Sequence, residues 1–116
     1  TVRAQQRVGD ELIAGYAEII DRAHAYGIAV YGATLTPFGG HEYDDPRGRR
    51  EQTRRRVNEW IRTSGRFDAV IDFDNVVRNP SHHARVRRAL HDGDGLHLNP
   101  RGYRALADAV PLDLFA

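Results

Sequence analysis

The run Ile28-Ala29-Val30-Tyr31-Gly32-Ala33-Thr34-Leu35 is apolar at nearly every position rather than at alternate ones. A strand with that pattern is covered on both faces, which is the habit of parallel sheets flanked by helices. What lies either side agrees. Upstream, Val8, Leu12, Ile13, Tyr16, Ile19, Ile20 and Ala23 recur at helical spacing and predict a helix over residues 7–26, closed by Gly27. Downstream, Thr36-Pro37 ends the strand, and residues 38–48, rich in Gly, Asp and Pro, read as a loop.

The alternation continues. A second helix is expected over Arg49–Thr63, with Thr53, Val57, Trp60 and Ile61 facing inward and Ser64-Gly65 closing it. Residues 67–73 form a second strand. Residues 74–90 suggest two short helical turns broken at Asn79-Pro80, and residues 91–98 a glycine-rich loop. Asn99 then caps a last helix with Pro100 at its first position and Tyr103, Leu106, Ala107 and Val110 on its buried face. Helix, strand, helix, strand, irregular segment, helix is an α/β order. Two strands are few for such a sheet, and their doubly covered character calls for neighbours.

At 116 residues the chain has room for one domain and not for two. A net charge of +1 gives no drive toward nucleic acid or acidic membranes. Without cysteine there is no disulfide, no Cys-ligated zinc and no thiol nucleophile. No apolar run approaches a membrane span, and the polar residues 1–10 do not resemble a signal peptide. Methionine is absent, position 1 included, so the chain is expected to begin inside a longer translated sequence, through processing, cloning or proteolysis.

Chemistry concentrates in Asp92-Gly93-Asp94-Gly95-Leu96-His97-Leu98-Asn99-Pro100-Arg101-Gly102-Tyr103. Asp94 and His97 lie three apart, just before a capped helix. A carboxylate reaching back to one imidazole nitrogen fixes the tautomer and frees the other nitrogen as a general base. The pair alone is also compatible with a plain loop contact.

The wider context resembles the SGNH (GDSL-type) hydrolases. Asp94-x-x-His97 with Asn99-Pro100-x-Gly102-Tyr103 and Leu106-Ala107 is similar to that family's last conserved block. Leu12 to Tyr16 and Ala23 to Ile28 resemble the helix and turn before its fourth strand. Tyr31 to Gly40 resembles that strand and its loop, and Val57 to Arg62 with Phe67 to Phe73 the next helix and strand. The resemblance implies a three-layer α/β/α sandwich with a flavodoxin-like parallel sheet, of which residues 1–116 are the C-terminal portion, lacking the first strands. It implies carboxylic ester hydrolysis through an acyl-serine intermediate, with catalytic His97 and Asp94 and no cofactor. It favours a secreted, bacterial setting and an ester of a lipid, a sugar or a small alcohol as substrate.

The family's Gly-Asp-Ser, second-block Gly and Gly-x-Asn-Asp blocks are absent here. Ser64 and Ser81, the only serines, sit at a helix end and in a turn, and neither has a nucleophile's context. Thr1 would need a basic partner to act as one. The missing N-terminal half of the domain is therefore an expected partner, and the chain is expected to be inactive alone. A non-catalytic binding or assembly module is the competing reading.

Other clusters read as structural. The six arginines of residues 47–56, balanced by Glu42, Asp44, Asp45, Glu51 and Glu59, read as a solvated helix face. His82, His83 and His91, near Asp92 and Asp94, match no metal-ligand spacing, and the calcium-like Asp92-Gly93-Asp94-Gly95 lacks the later ligands. Trp60 reads as core, and Asp72 and Asp74, at the second strand's end, as capping or turn residues.

Overall fold

A computed structural model describes all 116 residues. Helix α1 spans Val2–Ala25. It begins at Val2 rather than near residue 7 because the Thr1 hydroxyl caps it, accepting from the Ala4 N–H at 3.0 Å. It ends as expected at Gly27, whose φ of 72° is left-handed. The N–H groups of Gly27 and Ile28 there donate to His24 and Ala23 carbonyls, a Schellman closure.

Strands β1 (Tyr31–Ala33) and β2 (Ala69–Ile71) pair in parallel, Gly32 opposite Val70. Helix α2 (Arg49–Thr63) lies between them in the chain. The α/β order and the parallel pairing are as the sequence implies. Both strands are shorter than expected, and side chains bind the backbone beside each end of β1. Asp68 Oδ2 accepts from Val30 N–H at 2.7 Å. Beyond Ala33, the Asn58 amide binds both polar groups of the Leu35 backbone, at 2.7 and 2.9 Å. Phe73 leaves β2 altogether. Asp72 caps the short helix α3 (Phe73–Val77), accepting from Asn75 N–H, so its expected capping role holds.

The two faces of β1 are covered differently. On the Gly32 side, the ring of Phe67 sits where a Cβ on Gly32 would fall, 2.6 Å away. Phe67 packs against Tyr16 of α1 and Trp60 of α2, whose rings stack at 6.4 Å, so Trp60 does join the packing. On the other side, Tyr31 donates its hydroxyl proton to the Leu114 carbonyl at 2.7 Å and meets the Phe115 ring edge-on. These last residues belong to a 3-10 turn, Leu112–Phe115.

Residues 74–90 differ from expectation. In place of a second helical turn, β3 (Arg78–Asn79) and β4 (His82–Val86) form an antiparallel hairpin about Pro80-Ser81, followed by a 3-10 turn at Arg88–Leu90. Val77, Val86 and Leu98 are buried beneath it, with Val76, Leu90 and Leu106 packed around them. Helix α4 (Pro100–Asp108) adds Leu106 to this cluster.

The arginine run is not uniformly solvated. Arg54 is buried, and all five of its N–H donors are used. Nε and one Nη bind Glu51 at 2.7 Å; the other Nη binds Asp74 at 2.7 Å and the Leu35 carbonyl at 2.9 Å; a last proton reaches the His83 carbonyl at 3.2 Å. Asp74, expected at a turn, is instead the buried centre of an ion network. Its second oxygen accepts from Arg62 and Arg78, and its N–H donates to Thr34 Oγ. Burial pushes the Asp72 carboxyl up, but hydrogen bonds from Arg62, Thr34 and Asn75 outweigh it and hold its pKa at about 2.

The molecule is a slab of 41 × 37 × 19 Å with a radius of gyration of 15.2 Å, against roughly 13 Å for a compact domain of this length. Val8, Ile19 and Ile28 stand half or more exposed.

Removing a partner from a buried ion network leaves uncompensated charge. Arg54→Ala is expected to lower unfolding free energy by about 3–5 kcal/mol in chemical denaturation. Arg55→Ala, whose side chain is 63% exposed, should change it by no more than about 0.5 kcal/mol. Equal effects would contradict the distinction between these adjacent residues.

Candidate active site

The loop between the hairpin and α4 is closed at its base. His91 and Leu98 form an antiparallel bridge, Asp92 N–H donates to the His97 carbonyl, and Asn99 N–H donates to the Leu90 carbonyl. Asn99 also secures both sides of the junction. Its Oδ1 caps α4 by accepting from Gly102 N–H at 2.9 Å, while its Nδ2 donates to the carbonyls of Ala89 and His91. Gly102 is required there, since a Cβ would run into the Leu90 carbonyl. Within the loop, Gly93 and Gly95 take φ of 116° and 79°, conformations side chains resist.

This backbone folds Asp94 over its own turn. Oδ1 accepts from the N–H groups of Leu96 and His97, both at 2.8 Å, leaving Oδ2 to meet His97 Nδ1 at 2.6 Å. The separation is within the hydrogen-bond range that the three-residue spacing implies. Nδ1 thus carries the proton it shares with the carboxylate, and Nε2 presents its lone pair. Nε2 has no hydrogen-bond partner, and the His97 side chain is 63% exposed. The hydrogen bond to His97, then those from the Leu96 and His97 backbone, hold the Asp94 carboxyl far below the usual range. In return, the hydrogen bond and charge of Asp94 raise the His97 pKa. An imidazole held this way takes a proton at Nε2 and keeps it long enough to deliver it elsewhere.

The loop after β1 lies against the pair. Gly39 N–H donates to the Ala84 carbonyl of β4 at 2.7 Å, and the Gly39 carbonyl borders Gly95. His41 follows, its ring centroid 6.3 Å from that of His97 and nearly perpendicular to it; Tyr43 touches His41 at 4.5 Å. Gly39, Gly40, Arg85, His91 and Asp94 line a shallow cleft beside the pair. In sequence, residues 38–48 read only as a loop, and His41 is not singled out. Its available signal was position, because open α/β sheets place ligands beyond the carboxyl ends of their strands.

The other residues weighed from sequence lie apart from His97 in bonding. Ser64 Oγ accepts from Arg66 N–H at the end of α2, Ser81 occupies the hairpin turn, and Thr1 caps α1. His82 and His83 are exposed on β4 and share no ligand cluster with His91. Asp92, Asp94 and His97 bring potential ligand atoms within 4.8 Å of one another, but in this group Asp94 and His97 already bind each other.

The family model for the GDSL-like Lipase/Acylhydrolase family matches residues 2–105. The chain belongs to that family. Membership brings hydrolase chemistry on esters at the family level, and the α/β organisation seen here accords with it. Comparison with curated proteins gives no match. Within this GDSL-like chain no helix is long and apolar enough to cross a membrane.

The Asp94 contact sets the imidazole's proton affinity. Followed by NMR, His97 should titrate above the ordinary imidazole value, and Asp94→Asn should move that titration down. An unchanged His97 titration in the variant would show that the two side chains do not interact in solution.

Proposed function

We propose that this chain supplies the general base and its orienting carboxylate to a serine ester hydrolase. The observation that carries the reading is the 2.6 Å contact of Asp94 with His97 Nδ1 beside an unbonded Nε2. Such an imidazole removes the proton from a serine hydroxyl as it attacks the ester carbonyl, and Asp94 stabilises the resulting imidazolium. His97 then protonates the leaving alcohol, and an acyl-serine remains. In the second half of the cycle His97 takes a proton from water as the water attacks the acyl carbon, then returns that proton to the serine oxygen as the acid leaves.

The serine and most oxyanion donors are proposed to come from residues outside these 116. Ser64 and Ser81 make no bond to His97, and the sequence has no Gly-Asp-Ser. The two-stranded sheet, with one free edge on each strand, and the exposed Val8, Ile19 and Ile28 suit a larger body. We take that body to be a three-layer α/β/α sandwich with a flavodoxin-like sheet, of which this chain is the C-terminal portion. A secreted setting, as in the bacterial lipases and esterases the sequence resembles, belongs to the same proposal.

Hydrolysis of a short-chain chromogenic ester tests this. The isolated chain should show no serine-enzyme rate, since even one oxyanion donor is worth roughly 10²–10³. The full-length protein carrying the chain should be active, and His97→Ala should lower its kcat by on the order of 10⁴-fold or more. Full activity in His97→Ala, or in the isolated chain, would overturn the proposal.

A further inference from the structure

The imidazole that delivers a proton to the leaving oxygen has a second imidazole beside it. His41 is half-buried, and its ring stands 6.3 Å from that of His97. Its position is fixed from two directions. His41 N–H donates to the Phe38 carbonyl, and Nδ1 accepts the Tyr43 N–H at 3.1 Å. A ring nitrogen that accepts a backbone N–H carries no proton itself, so the neutral ring bears its proton on Nε2. That Nε2 makes no hydrogen bond within the chain. A half-buried donor held in one tautomer beside the general base is suited to a ligand oxygen.

Position selects which part of an ester it meets. His97 Nε2 must come within about 3 Å of the leaving oxygen to protonate it. His41, its ring centroid 6.3 Å from that of His97, is close enough to meet the alcohol portion of an ester placed this way. Gly39 and Gly40, next to His41 in the chain, border a polar cleft with Arg85, His91 and Asp94, in which Val86 is the one aliphatic residue. Tyr43, 54% exposed and in contact with His41, offers a ring face on which a small polyol can lie.

We propose that His41 is a specificity-determining residue that donates a hydrogen bond from Nε2 to a hydroxyl of the alcohol portion, so that the enzyme favours esters of hydroxyl-bearing alcohols. The inference rests on the proposed role of His97 as general base. Glycerol and sugar esters share the required chemistry.

Three butyrate esters of equal acyl length separate the cases in the full-length protein: monobutyrin, a butyrylated methyl glucoside and ethyl butyrate. His41→Ala should lower kcat/KM on the hydroxylated esters by roughly three- to tenfold, the worth of one hydrogen bond, and leave ethyl butyrate within about twofold. His41→Gln keeps an N–H donor and should recover part of the loss. A loss on one hydroxylated ester alone identifies the alcohol as glycerol or sugar. Equal losses on all three esters, or none, overturn the proposal while leaving the role of His97 standing. Activity that survives His97→Ala removes the underlying reading, and the His41 assignment falls with it.

Discussion

The guanidinium of Arg54 is the point at which the separate pieces of this molecule meet. It lies on α2, yet it binds the Leu35 carbonyl just beyond β1, Asp74 in α3 and the His83 carbonyl in β4. A buried cation must be fully compensated, and here every donor has an acceptor and Glu51 and Asp74 balance the charge. The geometry this imposes passes directly to the loop of the candidate site. With Leu35 and His83 fixed to one side chain, the segment after β1 and the hairpin are brought together. Gly39 then bonds to Ala84, and the Gly39 carbonyl lies against Gly95 in the loop that carries Asp94 and His97.

The dyad itself depends on a smaller device. Asp94 spends one oxygen on two backbone N–H groups of its own turn and the other on His97. The carboxylate is thereby oriented by the main chain before it orients the imidazole. Asn99 anchors the end of the loop by capping α4 and binding back to the turn before it. Local hydrogen bonding thus positions groups that are themselves exposed, which a surface loop of lower backbone order would leave mobile.

What could be read from sequence follows the range of the interactions concerned. Gly27, Asn99-Pro100 and the Asp94–His97 spacing act over a few residues, and each does in the structure what its local chemistry implies. The backbone beside β1 is bound by Asp68 and Asn58, residues far along the chain from it, and β2 stops where Asp72 caps α3, so runs of apolar residues overstate both strands. The hairpin escaped because only Ala84 and Val86 of β4 turn inward among polar neighbours, too short an alternation to register. Arg54 was hidden in a charged run, although Glu51 and Arg54 share the helix face of Val57 and Ile61, and that register was the available clue. His41 is brought to His97 by tertiary packing alone.

The slab-like shape, the free sheet edges and the exposed apolar residues of α1 leave room for the larger body proposed above. On the proposed mechanism, His97 activates a serine that these 116 residues do not contain. A fluorophosphonate that captures activated serines, applied to the full-length protein and mapped by mass spectrometry, tests this most directly. A single adduct is expected on a serine outside this chain, formed far more slowly when His97 is replaced by Ala. An adduct on Ser64, Ser81 or Thr1, or labelling indifferent to His97, would contradict it.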